Sequence, residues 1–223
     1  MHTRKSKKIL LYLFLLVILA SINNKSLNKL KFDKVSEINI SGLNETDNKK
    51  ILKDIISLNL ENLFFLNIGE IIKIMETNSL IQSYKISKQY PSTLNIQIEK
   101  TNFLAKTNVD GQVFLIGSNG KLTKSNTYSK FLPFIFGKPK IEEFLKFKKI
   151  IDNSNILPKE IKSFYYFKSK RWDIELQNGI VLKLSKENPK NSLDEALLFL
   201  NDNNFLKINS VDTRIKNQII IND

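Results

Sequence analysis

Residues 81–100, IQSYKISKQYPSTLNIQIEK, decide the fold of the first half of the chain. Ile81 to Gln89 and Thr93 to Lys100 alternate apolar and polar side chains, which is the period of a half-buried strand. Tyr90-Pro91-Ser92 separates them, and a proline there fixes the backbone of a turn and offers no N–H to a ladder. The stretch is therefore a hairpin. Working back from it, Val35 to Ser41 alternates in the same way and stops at Gly42, the pattern of a first strand ended by a turn. Between these strands lie two helical stretches. In the first, Asn44 or Thr46 is placed to cap a helix that carries Ile51, Leu52, Ile55 and Ile56 on one face. In the second, Ile68, Ile71, Ile72 and Met75 share a face, and Leu63-Phe64-Phe65-Leu66 precedes them. Phe64 and Phe65 read as core residues at the junction of the two helices. The order is strand, helix, helix, strand, strand.

Working forward, residues 103–136 hold short apolar alternations broken by Asp110-Gly111 and Asn119-Gly120, pairs that tolerate positive φ and signal hairpins. Ile141, Phe144, Leu145, Lys148 and Ile151 fall on one side of an amphipathic helix, and Pro158 after Ile156-Leu157 ends that stretch. Trp172, Ile174 and Leu176 face Ile180, Leu182 and Leu184 across a Gln177-Asn178-Gly179 turn, with one covered and one wet face expected and Trp172 half-buried. Ser192 with Glu195 reads as a capping box for a helix carrying Leu193, Ala196, Leu197 and Leu200. Val211 to Arg214 and Gln218 to Ile221 form a last strand pair. The sequence predicts an α+β protein whose second half is a mostly antiparallel β domain with flanking helices.

The N-terminus differs from the rest. Arg4, Lys5, Lys7 and Lys8 precede a run from Ile9 to Ile22, ILLYLFLLVILASI, that is fourteen residues long and carries no charge. It is apolar on every face, with Ile9, Leu13, Leu16, Ile18 and Ile22 as its anchoring residues. That pattern predicts a single transmembrane helix with residues 1–8 cytoplasmic and everything after about residue 25 exported. At about 1.5 Å per residue the run reaches only about 21 Å of a core about 30 Å thick, so Asn23, Asn24 and snorkelling lysines must complete the crossing or the bilayer must thin. A cleaved signal peptide is the competing reading. Ile18 and Ile22 around Ala20 make a poor cleavage site, which favours the anchor.

Composition excludes most chemistry. The chain has 223 residues, no cysteine and one histidine, His2 near the N-terminus, so thiolate catalysis, disulfides, histidine-based triads and histidine or cysteine metal sites are ruled out. The formal net charge is +13, and four of the cations stand in the first eight residues. No G-x-x-x-x-G-K-[ST] or G-x-G-x-x-G loop occurs. Glu142, Glu143 and Glu160 read as surface carboxylates. The clusters Lys146-Lys148-Lys149 and Lys168-Lys170-Arg171 read as a solvated basic face, and export argues against nucleic acid. No catalytic residue, cofactor, metal or small-molecule substrate is expected.

Several of these segments together carry a family resemblance. Val35-x-x-Ile38-x-Ile40-x-Gly42, Asn62-Leu63-Phe64-x-Leu66, Tyr90-Pro91-Ser92-Thr93-Leu94 and Ile96-x-Ile98-Glu99-Lys100, after one membrane anchor, resemble a POTRA domain. Gly111-x-Val113-Phe114-Leu115-Ile116-x-x-x-Gly120, Leu132-Pro133-Phe134-Ile135-x-Gly137, the Trp172 to Leu184 strands and Val211-Asp212-x-Arg214 resemble the strands and turns C-terminal to that domain in the bacterial FtsQ/DivIB division family. One departure is Ile215, where the family pattern often has an aromatic residue. The resemblance implies a cytoplasmic tail (1–8), a transmembrane anchor (9–25), a POTRA domain (32–101) and an FtsQ-type β domain (102–223). It also implies a non-enzymatic bitopic scaffold of the inner membrane at the division septum, linking early and late division proteins through FtsB and FtsL, with its C-terminal part periplasmic. On that reading Arg214, Ile215, Gln218, Ile219 and Ile220 receive a segment of FtsB, beside Lys190 and a helix over Ser192–Asn203, and the POTRA domain recruits other division proteins. The alternative is a POTRA-bearing envelope assembly or transport factor acting by strand addition.

Overall fold

The computed structural model describes residues 3–22, 34–124, 132–202 and 208–222. Its first element, α1 (Thr3–Ile22), exposes Ile9, Leu13 and Leu16 to about two thirds of their area. Among the described residues no helix is long and apolar enough to cross a membrane. Asn23 and Asn24 lie outside the described residues.

The next elements are β1 (Glu37–Ser41), α2 (Glu45–Ile56), α3 (Gly69–Thr77), β2 (Ile81–Gln89) and β3 (Thr93–Lys100). They form a three-stranded sheet in the order β1-β3-β2, with β1 parallel and β2 antiparallel to β3. Asn44 is the N-cap of α2, its Oδ1 accepting from the Asp47 N–H at 2.8 Å, so the Asn44 alternative holds and Thr46 lies inside the helix. Gly42 takes φ +113°, and a Cβ there would stand 1.7 Å from the Ile98 carbonyl oxygen, which is why β1 ends at a glycine. Ile51 and Ile55 of α2, Ile71 and Met75 of α3, and Leu94, Ile96 and Ile98 of β3 share one core with Leu63. Each such side chain contributes about 1.5–3 kcal/mol when fully covered.

Phe64 and Phe65 are not in that core. They are 54% and 72% exposed, and Leu63 alone of that apolar run is fully buried. The reason is local: the Asn62 Oδ1 accepts from the N–H groups of both Phe64 and Phe65, which curls the chain outward after Leu63.

The rest of the chain forms a second layer pair. Its elements are β4 (Phe103–Val109), β5 (Gln112–Gly117), β6 (Leu122–Lys124), β7 (Phe134–Phe136), α4 (Ile141–Asp152), β8 (Ile161–Tyr166), β9 (Trp172–Leu176), β10 (Val181–Lys183), α5 (Pro189–Asp202), β11 (Ser210–Asp212) and β12 (Ile220–Asn222). They make one nine-stranded sheet in the order β12-β11-β10-β9-β8-β7-β4-β5-β6. Pairing is mostly antiparallel, with three parallel steps: β4 to β7, β7 to β8 across α4, and β10 to β11 across α5. Asp110 (φ 49°) and Gly111 (φ 81°) make the β4–β5 hairpin turn. Phe144, Phe147 and Ile151 of α4 and Leu193 and Ala196 of α5 cover one sheet face, meeting Ile135, Phe164, Trp172, Ile174, Leu182 and Val211.

Three expectations change here. Trp172 is buried rather than half-buried, stacked on Phe147 at 4.7 Å between ring centroids. α5 begins at Pro189, so Ser192 lies inside its first turn and is no N-cap; it is buried and turned to the sheet. The basic clusters are only partly solvated: the Arg171 guanidinium lies 4.2 Å over the Phe167 ring and grips Asp173, and Lys148 is largely covered beside Asp152, while Lys146, Lys149, Lys168 and Lys170 are exposed.

The two sheets meet at a polar joint. The Asn119 Nδ2 donates to the carbonyls of Ser79 (3.0 Å) and Ile81 (2.9 Å), and the Lys121 Nζ donates to those of Glu76 and Asn78. Gln82 accepts from the Ser118 hydroxyl at 2.7 Å, and Thr123 of β6 donates to the Ser79 hydroxyl at 2.9 Å.

Candidate functional site: an open terminal edge

The cross-strand registers align one inner row over the sheet: Phe164, Ile174, Leu182, Val211 and Ile221, on β8 to β12 in turn. The first four are fully buried, and Ile221 is 42% exposed. The row runs out of cover at β12, beyond which no strand pairs among the described residues. An edge strand presents unpaired N–H and C=O groups, and a further strand laid there would extend both the ladder and the apolar row.

The opposite face of the same strands is built from charge. Asp173 pairs with Lys183, Lys183 with Asp212 and Asp212 with Ile220, so two carboxylates flank one lysine and lead to an isoleucine. Both carboxylates are buried, so that face is not simply wet. Arg171 donates to both Asp173 oxygens, at 3.0 and 3.1 Å, and Arg214 does the same to Asp212, its Nη2 to Oδ2 at 2.5 Å. Burial raises the Asp173 carboxyl above its ordinary value, with Arg171 opposing. Burial also pushes Asp212 up, but its bonds from Arg214 outweigh that and leave it below the ordinary range. Arg214 is raised in turn by its bonds to Asp212. Further along, the Tyr165 hydroxyl donates to Glu175 at 2.7 Å, which with burial pushes its pKa up to about 12; Glu175 itself is lowered, chiefly by Lys162.

The five predicted contact residues fall together around this edge. Arg214 and Ile215 leave β11, Gln218 and Ile219 return from a turn in which Asn217 takes φ 60°, and Ile220 opens β12. Ile215, Ile219 and Ile220 are 54%, 39% and 52% exposed. The strands are shorter than the sequence pattern suggests. Ser192 fixes the base of the turn: its Oγ accepts from the Ser185 N–H, and the Thr213 hydroxyl donates to the Ser192 carbonyl at 2.9 Å. Lys190 sits apart, in a groove between α4 and α5 with Asn153, Asp194 and Leu198, and Asn203 lies outside the described residues. Ile221 was missed because Ile219-Ile220-Ile221 has no alternation from which to assign faces.

Two of the three surface carboxylates, Glu143 and Glu160, have structural partners, and Glu142 is exposed. Glu143 accepts from the Lys140 N–H and the Tyr166 hydroxyl, and Glu160 from the Leu157 N–H. Among the described residues no group of three or more histidine, cysteine, aspartate or glutamate side chains is arranged to hold a metal.

Fold and edge define an α+β class in which a β-α-α-β-β unit leads into a large mixed sheet with an open terminal strand. Residues 33–100 match the family model of the FtsQ-type POTRA domain, and residues 104–214 match that of the C-terminal part of the cell division protein FtsQ/DivIB. The chain belongs to the FtsQ/DivIB family. Among curated relatives, cell division protein FtsQ of Rickettsia bellii (strain RML369-C) is 25% identical over 75% of this chain, which spans 61% of that protein's length. Cell division protein DivIB of Clostridium botulinum (strain Loch Maree / Type A3) is 28% identical over 81% of this chain and 75% of its own. The solved extracytoplasmic domain of DivIB from Geobacillus stearothermophilus aligns with 46% of this chain and 96% of its own, at 12% identity and a TM-score of 0.34.

Proposed function

We propose that the chain is a non-enzymatic scaffold of bacterial cell division that takes a partner's strand on β12. The observation that carries this reading is the open edge with four exposed isoleucines, Ile215, Ile219, Ile220 and Ile221, at the end of a buried row. The partner is FtsB, acting with FtsL, and its segment extends the sheet while Arg214, held in place by Asp212, meets it beside Ile220. The POTRA domain, within 32–101, recruits further division proteins, with β1 as the available strand. Residues 1–8 are cytoplasmic, 9–25 cross the inner membrane as a single anchor, and 102–223 form the periplasmic β domain at the septum. The uncharged run with apolar side chains exposed all round supports the anchor. Confinement to a membrane lets several modest contacts act together at high effective concentration.

The test is a titration of the full chain in detergent with the periplasmic segment of FtsB from the same cell. Ile221→Pro, which removes the N–H on the side of β12 that faces away from β11, should abolish binding while circular dichroism and the melting transition stay unchanged. Unaltered affinity in that variant overturns the reading.

A further inference from the structure

Phe64 and Phe65 are adjacent large apolar side chains exposed on a folded unit, and Tyr90 is 54% exposed beside them, its ring centroid 4.7 Å from that of Phe64. Three segments build this tip. They are the Asn62–Leu66 loop, the β2–β3 turn, and the strand by which the chain arrives from α1: Lys34 bridges Asn62, and the Ser36 N–H donates to the Ser92 carbonyl. The tip therefore marks the pole at which the chain from the N-terminal helix enters the unit. Eleven residues lie between Ile22 and Lys34, a reach of at most about 43 Å. The joint to the large sheet stands at the other end of β2, nine residues or about 30 Å away.

The loop is finished inside for an apolar setting. The Asn62 Oδ1 takes the Phe64 and Phe65 N–H groups, and the Lys88 Nζ donates to the Leu63 carbonyl at 2.7 Å and the Leu66 carbonyl at 3.5 Å. Placing Phe64 and Phe65 in a less polar layer strands none of these groups, which is the usual cost of taking a loop out of water. Lys34 is exposed at the same pole, and the Lys88 ammonium lies half-buried beneath the loop. Aromatic rings with an exposed lysine beside them suit the headgroup layer of an anionic membrane.

We propose that the Phe64, Phe65 and Tyr90 tip rests in the headgroup layer of the bilayer that holds α1, so that the POTRA-type unit stands on the membrane and carries the large sheet at its far end. This rests on the anchor reading above. The chain has no cysteine, so single probes are clean. Full-length Phe65→Cys, Tyr90→Cys, Leu16→Cys and Asp110→Cys proteins, each carrying an environment-sensitive fluorophore, are reconstituted in phosphatidylglycerol-containing vesicles and exposed to nitroxide-labelled lipids. Shallow nitroxides should remove most of the emission at positions 65 and 90 and leave that at 110, in the β4–β5 turn. Emission at 65 and 90 as unquenched as at 110 overturns the tip contact. Position 16 reads the anchor separately: quenching there by deep nitroxides supports it, and its absence overturns the anchor whatever the tip shows.

Discussion

The nine-stranded sheet ends in two edge strands of three residues each, β6 (Leu122–Lys124) and β12 (Ile220–Asn222). Around β6 the neighbouring unit is close at hand: Thr123 bonds Ser79, and Asn119 and Lys121 reach the carbonyls of residues 76 to 81. Beyond β12 no further strand pairs among the described residues, and Ile220 and Ile221 are exposed there. An open edge with an apolar surface is usually a hazard that proteins avoid. Tying the surroundings of one edge to the protein's own chain, while the other has no further strand among the described residues, separates an interior joint from the edge to which the proposed reading assigns a partner.

The strongest way to break this contrast is to cut the row that leads to the open edge. Leu182→Ala, in its buried middle, should cost about 2–5 kcal/mol in chemical denaturation, whereas Ile221→Ala at its exposed end should cost under about 1 kcal/mol. Equal losses would mean that β12 is covered in solution. Next in size, Asn119→Ala with Lys121→Ala removes the bonds that guard β6 and should cost about 2–3 kcal/mol. That double variant should also sediment as larger species than the parent, since a second edge is then free to pair; unchanged sedimentation would show that β6 is protected some other way. Thr213→Val takes away the hydroxyl bonded to Ser192 and should cost about 1–3 kcal/mol. Amide exchange should quicken in β12 and stay as it was in β6.

Acid gives the finest distinction. Asp212 has a lowered pKa, so its contribution is present above the unfolded value of 3.8 and lost as pH falls below it. Asp173 is raised, so its contribution is present below 3.8 and lost as pH climbs through its higher folded value. The stability deficit of Asp212→Asn relative to the parent should therefore shrink on acidification, while any deficit of Asp173→Asn should grow. Denaturation curves across that window that move in parallel would refute the assignment.

Much of the fold was legible because its signals are local. The Tyr90-Pro91-Ser92 turn, the Asn44 cap, the Asp110-Gly111 hairpin and the α4 stripe each depend on residues a few positions apart. What escaped depends on distant partners. Parallel pairing of β7 with β8 and of β10 with β11 leaves no mark in strand alternation. Ser192 looks like a cap until Thr213 is beside it, and Asp173 and Asp212 look solvated until Arg171 and Arg214 fold over them. Phe64 and Phe65 had the composition of a core but not its geometry. Of the contact residues, the position of the cluster was legible from the chain end, and the inner face of β12 was not.

The joint between the sheets has one consequence for descent. Asn119 and Lys121 recognise main-chain carbonyls, those of Glu76, Asn78, Ser79 and Ile81, and every residue type supplies a carbonyl. Inheritance therefore constrains only the donor side for these bonds. A change of side chain at Glu76 or Asn78 leaves these acceptors in place, whereas Asn119 and Lys121 cannot be replaced without losing the bonds, and Ser79 and Gln82 are tied to the joint through their side chains as well.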